Sequence, residues 1–139
     1  LQGTEMVRAL EAPVCGVPAE AQSAKGFASF GTNDLTQTTL AISRDDADRF
    51  LPRYVEDGMF ALHPFLSLHP VVERIVRQFV AAARQVDPKF EIFICGEHGG
   101  DLYTIGRLHD MGFTGTSMSP GGIYRSILQA AHEQIKNPR

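Results

Sequence analysis

Short apolar runs that stop at a glycine alternate along this chain with longer segments carrying a single apolar stripe, and that alternation limits the folds open to it. The clearest short run is Glu91-Ile92-Phe93-Ile94-Cys95-Gly96, and Phe27-Ala28-Ser29-Phe30-Gly31 reads the same way, as a buried strand. A weaker strand, Phe113-Thr114-Gly115-Thr116-Ser117-Met118, closes on Pro120-Gly121-Gly122. The weakest is Met6-Val7-Arg8-Ala9-Leu10-Glu11, where Arg8 interrupts the apolar run.

The longer segments read as helices. Val71-Val72, Ile75-Val76, Phe79-Val80 and Ala83 form one stripe, with Pro70 at the position that suits a first helical turn. Leu102, Ile105, Leu108 and Met111 form a second, stopped by Gly112. Ile123, Ile127, Leu128, Ala131 and Ile135 form a third, ended by Asn137-Pro138. Ala19 to Lys25 reads as a short helix before Gly26, Asp45 to Asp57 as a helical insert broken near Pro52, and Phe60 to His69 as a loop.

Strands alternating with helices build a parallel sheet with helical cover. A closed (β/α)8 barrel takes about 250 residues. The 139 residues here, with about four strands, amount to about half of one, and periodicity alone leaves a doubly wound sheet open. The length suits one domain. With 43% hydrophobic and 21% charged residues the composition is that of a globular chain, not a disordered one. Lys plus Arg 13 against Asp plus Glu 16 gives a net charge of −3, which argues against nucleic acid as a partner. No apolar run approaches the roughly 18 residues of a membrane span. Cys15 and Cys95 make no disulfide framework, and a reducing, cytoplasmic setting is the simpler expectation, without excluding an organelle. The absence of a leader-like segment and a start at Leu1 suggest a piece of a longer protein.

Polar residues gather at the carboxyl ends of the predicted strands, where α/β folds place their sites. After the first comes Gly31-Thr32-Asn33-Asp34-Leu35-Thr36-Gln37, followed by Arg44. The Asp34 carboxylate and Asn33 amide suit a hard cation such as Mg²⁺; an Asx turn is the competing reading. After the second comes Cys95-Gly96-Glu97-His98-Gly99-Gly100-Asp101. A thiol at a strand end can donate a proton if it faces an open cavity, whereas most single cysteines are buried packing residues. Zinc at Cys95 and His98 is a poor reading, because no second ligand pair has suitable spacing. His98 reads as a hydrogen-bonded loop residue, and His63, His69, His109 and His132 as structural or solvated. Ser117-Met118-Ser119-Pro120-Gly121-Gly122 follows the third strand and reads mainly as turn chemistry, with a phosphate cradle the weaker alternative. Neither GxxxxGK[ST] nor GxGxxG occurs, so nucleotide binding by either loop is unsupported.

Taken together, Phe30-Gly31-Thr32-Asn33-Asp34-Leu35-Thr36-Gln37, Ser43-Arg44-Asp45-Asp46, Cys95-Gly96-Glu97-His98-Gly99-Gly100-Asp101 and Ser117-Met118-Ser119-Pro120 resemble the C-terminal barrel of the PEP-utilising enzymes. The resemblance runs from Phe27 onward and, within that family, is to the pyruvate, phosphate dikinases. His98-Gly99-Gly100, Ser43-Arg44-Asp45-Asp46 and the insert Phe50-Leu51-Pro52 separate it from enzyme I of the sugar phosphotransferase system, and PEP synthase differs more at the cysteine turn. Departures are Met118 and Gly121-Gly122 in the last loop and Arg8 in the first strand.

The resemblance implies an α/β fold: residues 1–139 as the C-terminal half, about four βα units, of a TIM (β/α)8 barrel that binds PEP or pyruvate. Asp34 would match a Mg²⁺ ligand, and Glu11, in Glu11-Ala12-Pro13, the second carboxylate. Gly31, Thr32 and Asn33 would match the loop around the carboxylate and enolate, Arg44 an arginine on the phosphoryl group, and Cys95 the acid that moves a proton at C3. The complete protein would interconvert ATP, phosphate and pyruvate with AMP, diphosphate and PEP. The phosphohistidine and nucleotide-binding domains would lie outside this chain, as would the other barrel half, in a homodimeric parent. The isolated chain would then be inactive. An enzyme I-like phosphotransferase or a PEP synthase is the enzymatic alternative, and a non-catalytic interaction half-barrel the other.

Overall fold

The computed structural model describes residues 27–138, so the strand expected at Met6 to Glu11, the helix at Ala19 to Lys25, Glu11 and Cys15 lie outside the described residues. Within them, β1 (Phe27–Gly31), β2 (Glu91–Cys95) and β3 (Gly115–Ser117) form one three-stranded parallel sheet in chain order. The register sets Ser29 beside Phe93 and Phe93 beside Gly115, and aligns Gly31, Cys95 and Ser117 across the carboxyl edge.

Side chains alternate between faces along a strand, and only one face of this sheet is covered by described residues. Ala28, Phe30, Ile92 and Ile94 point into a core with Val72, Val76, Val80 and Ala83 of α4 (Pro70–Val86) and with Leu108 and Met111 of α5 (Leu102–Met111). Phe30 meets Phe79 edge-on, ring centroids 5.1 Å apart. Ser29, Phe93, Cys95 and the 54% exposed Phe27 occupy the other face. The runs expected to be buried strands are therefore covered on one side by the described residues.

The helical stripes lie where spacing puts them. Pro70 opens α4, and the His69 ring accepts from the Val71 N–H as its cap. Gly112 ends α5 at φ +79°, a left-handed stop that glycine adopts freely. Glu73, buried on α4, takes hydrogen bonds from Arg77 of the same helix and from Arg107 of α5, so the two helices share one buried carboxylate. The last stripe forms α6 (Ile123–Lys136), whose one buried residue is Ser126.

The segment after β1 departs from a turn. Thr32–Leu40 is a helix, α1, that begins directly at the strand end, so the Asx turn is overturned. Its buried residues Thr32, Leu35 and Thr36 show that the packed fold, more than local propensity, holds it. Ala41, in the left-handed region at φ 54°, donates its N–H to the Gln37 carbonyl and turns the chain back. The insert then splits into α2 (Arg44–Ala47) and α3 (Leu51–Glu56), with Pro52 in the first turn of α3 and the break just before it. Ala47, Leu51 and Phe65 close a small second core beneath the loop from Phe60 to His69.

Candidate active site at the carboxyl edge of the sheet

At the carboxyl ends of β1 and β2 a set of hydrogen bonds joins residues far apart in the chain. Asn33, in the first turn of α1, donates from Nδ2 to Glu97 Oε2 at 2.6 Å. Arg44, at the start of α2, donates from Nη2 to Glu97 Oε1 at 2.9 Å, with half of each side chain open to solvent. The Arg44 backbone N–H is itself held by Gln37 Oε1 at 2.7 Å, and Gln37 Nε2 donates to Asp34 Oδ1 at 3.4 Å. Asp34, Gln37, Arg44, Glu97 and Asn33 thus form a continuous polar rim. The Asn33 amide and the Arg44 cation hold the Glu97 carboxyl below the usual carboxylate range, with the amide hydrogen bond the larger cause.

The turn between β2 and α5 needs its glycines. Gly96 sits at φ +100°, and a Cβ there would stand 3.2 Å from Asn33 Nδ2. A Cβ on Gly99 would come within 2.9 Å of the Ser117 carbonyl oxygen, too close for any side chain. These close approaches let the Glu97 turn lie between α1 and β3.

His98 is completely buried under this rim. Its Nε2 lies 2.9 Å from the Pro64 carbonyl and its Nδ1 2.7 Å from Thr32 Oγ1. A carbonyl can only accept, so Nε2 carries the proton and the Thr32 hydroxyl donates to Nδ1. Desolvation lowers the pKa of the ring and keeps it neutral. One imidazole therefore ties the start of α1 to the loop below the insert, in keeping with a hydrogen-bonded loop residue. Asp101 makes a parallel tie: its Oδ2 accepts from the Thr104 N–H, Thr104 Oγ1 and Ser67 Oγ while capping α5.

Cys95 ends β2 on the face opposite the helices and is exposed among the described residues, where the packing reading expects a buried thiol. Its Sγ donates to the Phe30 carbonyl at 3.4 Å. Asp34 is exposed as well, and its carboxylate accepts from the Gln37 amide. Asn33 Oδ1 is buried and has no hydrogen-bond partner among the described residues. Among the described residues no three His, Cys, Asp or Glu side chains converge as a metal cage. No helix among them is long and apolar enough to cross a membrane.

Residues 7–135 match the family described as PEP-utilising enzyme, PEP-binding domain. The chain belongs to this family. Its relatives include the pyruvate, phosphate dikinase of Entamoeba histolytica, 42% identical over 115 residues, which cover 81% of this chain and 13% of that protein. The pyruvate, phosphate dikinase of Clostridium symbiosum is 38% identical over 130 residues, 92% of this chain and 15% of its own length. The chloroplastic pyruvate, phosphate dikinase 1 of Arabidopsis thaliana is 40% identical over 106 residues, 76% and 11% respectively. The chain thus spans about a seventh or less of these relatives.

For this PEP-binding-domain chain the structure gathers the sequence-predicted residues Gly31, Thr32, Asn33, Asp34, Arg44 and Cys95 at one edge of one sheet. Thr32 is buried against His98, so its side chain is engaged inside the protein. Glu11 lies outside the described residues. Glu97 and Gln37 were missed as site residues. The signal for Glu97 was its place directly after a strand-ending Cys-Gly; Gln37 had none beyond lying one helical turn after Asp34.

Proposed function

We propose that this chain is the C-terminal part of the PEP/pyruvate-binding barrel of a pyruvate, phosphate dikinase. The observation that carries the reading is the convergence of Asn33, Asp34, Arg44 and Cys95 on the carboxyl edge of a parallel sheet in a PEP-binding-domain chain. The barrel is supported by the order of the strands, each beside its chain neighbour with no reversal among the described residues. The open face supports it too, because parallel sheets are normally covered on both sides. There Phe93 lies beside Gly115, whose Cβ would come within 3.0 Å of the ring, a large-beside-small arrangement suited to the layered interior of a barrel.

The proposed reaction interconverts ATP, phosphate and pyruvate with AMP, diphosphate and PEP through a phosphohistidine on another domain. In the PEP-forming direction the three-carbon unit loses a proton from C3, and the enolate oxygen takes the phosphoryl group. In reverse, the enolate left after phosphoryl departure takes a proton at C3. Cys95 supplies or removes that proton, its exposed thiol lying on the open face at the strand end. Arg44 balances charge on the moving phosphoryl group with its planar set of donors. Mg²⁺ fits Asp34, an exposed carboxylate with one long amide hydrogen bond among the described residues, and Glu11 is the proposed second ligand. Mg²⁺ keeps several waters and needs only one or two carboxylates. When bound it supplies a Lewis acid for the enolate oxygen.

Two measurements on the complete protein test this. Mg²⁺-dependent PEP binding should be present and should be lost in Asp34→Asn; a non-catalytic interaction module would show no such binding in the parent protein. Cys95→Ala should abolish exchange of the pyruvate methyl hydrogens with deuterated solvent, while phosphorylation of the carrier histidine from ATP and phosphate persists. Persistent exchange would remove Cys95 from the mechanism, and a parallel fall in both activities would assign it to packing.

A further inference from the structure

Among the described residues Glu97 hydrogen-bonds both Asn33 and Arg44, and none of the roles above belongs to it. Its two oxygens are divided, one to the amide and one to the guanidinium. Neither donor is exhausted: among the described contacts the Arg44 side chain uses Nη2 alone, leaving Nε and Nη1.

The two ends of the pair differ in how firmly they are held. Glu97 follows Gly96, whose N–H donates to the Ser117 carbonyl at 3.2 Å, and precedes the fully buried His98. Arg44 sits on a four-residue helix in the insert, its long side chain half open to solvent. Its backbone is pinned by Gln37, so the remaining freedom lies in the side chain, where Glu97 is its partner.

We propose that Glu97 is a positioning residue that fixes the Arg44 guanidinium and the Asn33 amide as one anion-binding array, directing the unused donors of Arg44 to the ligand. The effect runs against simple charge. A carboxylate beside an anion site repels the anion, so removal for reasons of charge alone would tighten binding. Removal of a positioning group weakens it, because a misplaced donor loses its alignment with the ligand. The two accounts predict opposite signs. The proposal rests on the PEP/pyruvate reading for the identity of the anion, not for the pairing itself.

The test uses the complete protein with PEP and Mg²⁺. Glu97→Ala should weaken PEP binding about tenfold, within the range seen when a supporting partner of a binding residue is removed. Glu97→Gln, which keeps an acceptor for Arg44 and drops the charge, should recover most of that loss. In parallel, phenylglyoxal modification of Arg44, located by mass spectrometry, should run several times faster in Glu97→Ala because the guanidinium has lost its partner. Unchanged or tighter PEP binding in Glu97→Ala would overturn the proposal, as would unchanged labelling of Arg44. If the wild-type protein fails to bind PEP, the substrate reading falls, and the labelling rates still decide whether Glu97 holds Arg44.

Discussion

The two ends of the sheet are built differently. At the β1–β2 end, α4 buries Val72 and Val76 completely against Ile92 and Ile94, which are also completely buried. At the β3 end, α6 has an equally clear apolar stripe, yet Tyr124 is 82% exposed, Leu128 71% and Ile135 81%. A cleft of about 540 Å³ runs between β3, α5 and α6, lined by Leu108, Phe113, Thr116, Met118, Ile123 and Ile127. α6 packs on α5 through the buried Ser126 and the His109–Gln134 hydrogen bond, yet much of its apolar stripe faces solvent. The contrast teaches that amphipathic spacing shows a helix has something to bury, but not whether the described residues bury it. Under the barrel reading, the exposed stripe of α6 and the edges of β1 and β3 that are unpaired among the described residues are the surfaces to be covered in the complete protein.

The largest expected effect lies at the packed end. Ile94→Ala in the complete protein should cost about 2–5 kcal/mol, read by denaturant unfolding, because it leaves a cavity between β2 and α4. A cost below about 1 kcal/mol would mean the core is looser than its burial implies.

The open end should respond according to context. Leu128→Ala in the complete protein should cost about 2 kcal/mol or more, read by denaturant unfolding, if α6 is covered there. A change within about 0.5 kcal/mol, as for an exposed site, would remove the idea of a cover. The isolated chain itself should aggregate, dimerise or unfold without cooperativity; a cooperative thermal transition from a verified monomer would show that the open end needs no cover.

A smaller effect concerns acid. Burial lowers the His98 pKa, and the hydrogen bond to the Pro64 carbonyl and the nearby Glu97 and Asp101 carboxylates only partly oppose that. The unfolded ring titrates near about 6.5. The folded state therefore binds fewer protons just below that pH, and stability falls as pH drops from about 6.5 through the lowered folded value. Unfolding midpoints between about pH 7 and pH 5 should decline, and His98→Gln should flatten the decline. Burial lowers the His69 pKa too, so some slope should remain in the variant. An unaltered slope in His98→Gln would show that His98 contributes nothing to it.

The strands and the long helices were legible because their information is local. Val72, Val76 and Val80 repeat at helical spacing, and Ile92 and Ile94 alternate, so burial follows from period alone. α1 was not legible. Gly-Thr-Asn-Asp offers the backbone side-chain hydrogen bonds that favour turns, and what holds Thr32 in a helix is His98, 66 residues away. The same limit hid Glu97, whose partners Asn33 and Arg44 lie 64 and 53 residues distant. Asp34, Arg44 and Cys95 stood out as candidates from residue type and place, but which residue would orient which depended on contacts that sequence spacing does not carry.

The register of the sheet makes the thiol inseparable from the core. Because Ile94 faces the helices, its neighbour Cys95 faces the other way, beside Gly31 and Ser117. A single residue inserted or deleted within β2 would exchange the faces. Sulfur would then enter the hydrocarbon interior, and an isoleucine would occupy the polar edge. Replacing residues can tune this edge one at a time, whereas changing the length of β2 would cost the core and the chemistry together. Length variation between relatives should therefore be confined to the insert and the loops, where a residue can be gained or lost without turning a strand over.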